Sequence, residues 1–142
     1  MDLRIAREST GTQSFVRHLR EEDFVPVSNH PGNNEQDGGF TVTLISRETT
    51  SSEDLWVGLA RIPPRTGRRK HHHPHTSEFY LVTKGECTLH VDGEDVHAKY
   101  GTAVYVPANV VHAVRNDGDE WCELVVGFNL PTLEEHGIIF DE

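Results

Sequence analysis

From residue 40 onward the chain alternates apolar and polar positions in short runs. FTVTLIS (40–46), LWVGLARI (55–62), EFYLVT (78–83), CTLHV (87–91), DVHAKY (95–100), TAVYVP (102–107), VHAVRN (111–116) and WCELVVGF (121–128) are rich in β-branched and aromatic residues. A period of two sends successive side chains to opposite faces, as half-buried strands require. Turn residues separate the runs: Lys84-Gly85, Asp92-Gly93, and the stretches 107–109 and 116–118. Asp92-Gly93 between two alternating runs is a hairpin signal, because glycine accepts the positive φ that a two-residue turn needs. Short strands with few helices predict an all-β sandwich or barrel.

The flanks read differently. Residues 1–37 are mixed and polar and end in a Gly/Asn-rich loop at 30–39, with a short helix expected over 13–24. Beyond Pro131 a short helix is expected, then the apolar patch 138–140. The division is an N-terminal extension (1–37), a barrel (38–130) and a C-terminal tail (131–142), without repeats or low-complexity tracts.

Composition narrows the function classes. The 142 residues suffice for one domain with a core, and a hydrophobic share of 35% with 25% charged residues suits a soluble globular protein. A net charge of −10 makes nucleic acid and anionic membrane surfaces poor partners. No apolar run approaches a membrane span, and MDLRIAREST lacks the apolar centre of a signal peptide, so a cytoplasmic protein is expected. Cys87 and Cys122 lie in strand-like runs and are expected to be reduced and buried.

The chemistry concentrates in KHHHPHTSE (70–78), which holds four histidines in five residues. On a strand leading into EFYLVT, His71 and His73 share a face and His72 points away. Pro74 cannot donate to a ladder, so the strand is interrupted or bulged there. Glu78, Tyr80 and Val82 then share a face. Two imidazoles and a carboxylate supply three ligands to a transition metal, and His112, at the head of VHAVRN, is the best fourth candidate.

These residues resemble the cupin superfamily, in its small single-domain form. The first cupin motif, G(x)5HxH(x)3–4E(x)6G, is matched from His71 through His73 and Glu78 to Gly85. Its leading glycine is displaced, with Arg65 at that position and Gly67 nearby. The second, G(x)5PxG(x)2H(x)3N, is matched by Gly101, Pro107, His112 and Asn116, with Asn109 replacing the inner glycine. The resemblance implies a double-stranded β-helix (jelly-roll) barrel and one divalent metal ion per chain (Fe, Zn, Mn, Ni or Cu) on His71, His73, Glu78 and His112. A second register, with His73 and His75 as the pair, stays open. It restores Gly67 to the glycine position but leaves Glu78 one residue too close.

By the same resemblance the chain is expected to be an enzyme binding a small, enolisable, oxygen-rich substrate such as a diketone, hydroxyketone or polyketide-like compound. A dioxygenase is the first expectation. A zinc-dependent cyclase, isomerase or lyase is the second, and a non-catalytic binding protein the third. Glu78, His75 and Tyr80 are the candidates for proton transfer. The apolar lining is expected from Phe79 or Tyr80, Tyr105, Val114, Leu124, Val126 and Phe128. Arg61, Arg65, Arg68, Arg69 and Lys70 form a basic run read mainly as a solvated loop, with Arg61 the one that would point inward to hold a substrate oxygen. His18, His30, His90, His97 and His136 receive no role. A homodimer is expected by analogy.

Overall fold

Alternation decides which residues enter the core. The computed structural model describes residues 14–142. Among these residues the strands are β1 (Val25–Pro26), β2 (Phe40–Ile45), β3 (Trp56–Ile62), β4 (Thr66–His72), β5 (Glu78–Lys84), β6 (Glu86–Val91), β7 (Glu94–Lys99), β8 (Ala103–Val106), β9 (His112–Asn116), β10 (Cys122–Phe128) and β11 (Ile139–Phe140). They form two antiparallel sheets, ordered β1-β2-β3-β10-β5-β8 and β11-β4-β9-β6-β7. Trp56, Ala60 and Ile62 of β3, Tyr80 and Val82 of β5, and Cys122, Leu124, Val126 and Phe128 of β10 face Cys87, Leu89 and Val114 of the other sheet. Each large apolar side chain in this layer contributes about 1.5–3 kcal/mol relative to exposure. This is the all-β double-stranded β-helix expected from the sequence. Both cysteines are free and buried.

The eight expected strands all form, with ends within about a residue of the apolar runs. The β6–β7 hairpin pairs Val91 with Glu94, and its turn residues Asp92 and Gly93 have φ of 52° and 85°. Asn109 has φ 71°, so it fills the left-handed position vacated by glycine.

Three expectations change. The histidine cluster does not lead into β5 within one strand. It ends β4, which belongs to the opposite sheet, and residues 73–77 cross between the sheets. The helix expected over 13–24 does not form among the described residues. Only a 3-10 turn, Glu21–Asp23, is present, and residue 13 lies outside the described part. The tail holds a 3-10 turn, Leu133–Glu135, and then β11, which pairs Ile139 with His72 and Phe140 with His71. Among the described residues no helix is long and apolar enough to cross a membrane.

Candidate metal centre

The inner faces of β4, β5 and β9 meet at one end of the barrel. His71 pairs across the ladder with His112, so their side chains share a face. Glu78 begins β5, and His73 sits at the start of the crossover. The second motif's turn helps to fix it: the Asn109 N–H donates to the His73 carbonyl at 2.7 Å. All four side chains are buried, and one donor atom from each lies within 4.8 Å of all the others. Donor–metal bonds of about 2.0–2.2 Å put opposite ligands about 4.4 Å apart, so this cluster has the size of one coordination sphere.

The hydrogen bonds orient the rings toward that centre. Nδ1–H of His71 donates to the Arg69 carbonyl (2.6 Å), that of His73 to the His136 carbonyl (3.1 Å) and that of His112 to the Val110 carbonyl (2.9 Å). Each Nε2 then carries the lone pair a metal takes. His112 Nε2 lies 2.8 Å and His73 Nε2 3.5 Å from Glu78 Oε1, but off the line of a hydrogen bond, and all three buried atoms lack a partner. Such orphaned groups are costly unless a shared cation satisfies them. The donor set therefore fits a single divalent ion.

The electrostatics agree. Burial pushes the Glu78 carboxyl upward, but His112 and His73 more than offset this and hold it far below the usual carboxylate range. Burial, reinforced by His112, pushes His71 down to about 3, so its imidazole stays neutral. Burial alone would also lower His112, but Glu78 outweighs it and raises the pKa. An anionic carboxylate beside a neutral imidazole is the form that takes up a metal.

A cavity of about 50 Å³ adjoins the cluster, lined among others by Trp56, Tyr80, Val126, Phe128, His30 and His136. Tyr80 is buried, and burial with the nearby Glu78 anion raises its pKa well above the ordinary phenol, so it is a hydrogen-bond donor. His136, from the tail, lies against His73 with the two rings tilted (4.8 Å between centroids), and its Nδ1 is buried without a partner. Burial and His73 lower its pKa to about 4. His136 and His30 escaped the sequence reading because tertiary packing alone brings them here.

Other expected residues lie elsewhere. His75 is exposed and does not line the cavity, because it lies past the end of β4 in the crossover between the sheets. Arg61 stands between the inward Ala60 and Ile62 and so faces outward, binding Glu123 at 3.0 Å and Glu21 at 2.6 Å. Phe79 and Tyr105 are paired on the exposed outer face, and Val114 and Leu124 pack in the core. Nor is the basic run a loop. Residues 66–72 are a strand, and Arg68 lines the metal cavity with its Nε and Nη2 buried.

Comparison with known proteins decides the family. The model described as "Cupin domain" matches residues 58–128, the stretch from β3 through β10. The chain belongs to the cupin family. This cupin is 31% identical over 100 residues to a protein named polyketide synthase CurC of Streptomyces cyaneus, covering 70% of this chain and 64% of that protein, just under two thirds of its length. It is 34% identical over 65 residues to quercetin 2,3-dioxygenase of Bacillus subtilis, covering 46% of this chain and 19% of that one. Among solved structures, a predicted oxalate decarboxylase of Thermotoga maritima superposes with a TM-score of 0.66 at 23% identity, covering 80% of this cupin and 98% of that chain. That likeness shows the fold alone.

Proposed function

We propose that this cupin is a mononuclear metal-dependent enzyme acting on a small, enolisable, oxygen-rich substrate of polyketide type. The observation that carries the reading is the convergence of three oriented imidazoles and one carboxylate on a point beside a small, partly aromatic cavity. His71, His73, Glu78 and His112 would hold the ion, which supplies Lewis acidity toward a substrate oxygen. Trp56, Val126 and Phe128 exclude water from that oxygen's neighbourhood. Tyr80, kept protonated, donates a hydrogen bond to oxygen as negative charge develops there. His136, neutral above about pH 4 and outside the ligand set, has a buried, unpartnered nitrogen that can accept a carbon-bound proton. Glu78, strongly favoured as an anion among imidazoles, serves better as ligand than as base.

The first reading is enolate chemistry without a redox step, and the likeness to the polyketide synthase protein, over 70% of the chain, supports its polyketide type of substrate. The shorter likeness to quercetin 2,3-dioxygenase supports a second reading in which O2 attacks the same enolate. Elemental analysis and an aerobic and anaerobic panel of β-diketones, polyhydroxyaromatics and linear polyketide mimics separate them. Turnover unaffected by removing O2 supports the first reading, and turnover coupled to O2 uptake supports the second. A metal-loaded protein that turns over nothing and binds no member of the panel overturns both.

A further inference from the structure

β4 contains one residue more than its partner requires. Arg68 pairs with Val114 and His71 with His112, so three steps along β4 match two along β9. The extra residue is a β-bulge, and it changes the parity of the strand. Plain alternation would align Arg69, not Arg68, with His71. The bulge instead brings Arg68 and His71 both opposite inward-facing residues of β9, Val114 and His112.

The two arginines differ accordingly. Arg69 points outward, binding the buried Asp37 at 2.7 Å with its guanidinium 3.5 Å above the Phe140 ring. Arg68 lines the metal cavity together with His71, His73, Glu78 and Tyr80. Its Nε and Nη2 are sealed from solvent and make no hydrogen bond. Adjacent N–H groups of a guanidinium form a planar fork matched to two oxygens of one anion. A cation left unpaired in a cavity is retained against its desolvation cost only where something else compensates it.

We propose that Arg68 is the substrate-anchoring residue of the cavity and that the substrate is an anion, carrying a carboxylate or enolate-type oxygen pair that the guanidinium fork grips while two other oxygens face the metal ligands. This rests on the enzyme reading given above and adds the charge and shape of its substrate. A neutral diketone fills only the metal side of such a site.

The test uses two chelating probes that differ in outward oxygens. Oxalate offers two oxygens to a metal and two more on its far edge. Catechol offers two oxygens and a hydrocarbon edge. Full-length nickel-loaded protein is titrated anaerobically with each by calorimetry, for wild type, Arg68→Met and Arg68→Gln. We expect oxalate affinity to fall by about tenfold or more in both variants, the loss associated with charged hydrogen bonds, while catechol affinity changes by less than about threefold. Metal content should be unchanged, and the melting temperature of Arg68→Met should equal or exceed that of wild type. Unchanged oxalate affinity overturns the anchoring role and leaves the enzyme reading intact. A lower melting temperature with loss of metal shows a structural arginine and also overturns it. Wild-type protein that holds nickel but binds neither probe overturns the enzyme reading itself.

Discussion

Two neighbouring arginines of β4 have opposite surroundings: Arg69 pairs with the buried Asp37, and Arg68 enters the cavity beside the metal ligands. The ligand candidates were legible because HxH and a following glutamate obey strand alternation, and the second motif fixes His112 at a set distance from a proline turn. Arg68 was not legible, because a bulge has no composition signature and reverses the parity that alternation relies on. His136 was hidden for another reason: its position depends on where β11 docks. Two predictions belong at this scale. Tyr80→Phe should keep the metal and lower turnover by about 10–100-fold, measured as kcat at saturating substrate, because one hydrogen bond to a developing anion is lost. The metal-free protein should also be acid-sensitive. His30 and His136 have folded pKa values of about 4 and His71 of about 3, chiefly through burial, against an ordinary value of 6.5. Between pH 6.5 and 4 the unfolded chain therefore binds more protons. The stability these groups contribute is complete above pH 6.5 and lost on acidification, by about 1.4 kcal/mol per pH unit for each fully shifted group. His112, raised by Glu78, works in the opposite direction but stands alone. Melting temperature should fall from pH 7 to 5, and a flat profile would contradict the burial of these rings.

At the scale of elements, runs whose inner face is apolar were found, and β4 was found only in part. TGRRKHH carries Arg68 and His71 inward rather than hydrophobic side chains, so the pattern that marks a strand is missing where the strand serves a polar centre. β11 has two residues, too few for periodicity to show. Gly67 ties β4 to β9: a Cβ there would lie 2.3 Å from the Val114 carbonyl. Gly67→Ala should force the strands apart, cost about 1–3 kcal/mol in denaturant unfolding and weaken metal retention, since His71 and His112 face each other across this ladder. Unchanged stability and metal content would show that the ladder does not position the ligands.

The whole molecule joins two sheets around one polar end and one apolar interior. The outer face of the six-stranded sheet is partly covered by the segment before β1, where Phe24 lies 4.2 Å from the Arg61 guanidinium and Glu21 pairs with it. The stacked Phe40 and Trp121 rings remain part-exposed beside that segment. We propose that copies of the chain pair through such sheet faces. Light scattering should then return twice 16.0 kDa, and a mass of one chain at micromolar concentration would contradict it. The central claim is narrower: His71, His73, Glu78 and His112 bind one ion. Its most direct test is the metal content of purified wild type and His112→Ala by mass spectrometry, with circular dichroism confirming that both are folded. One ion per chain in wild type and less than about a tenth of that in the variant is the expected result. Equal metal content in two folded proteins would contradict it.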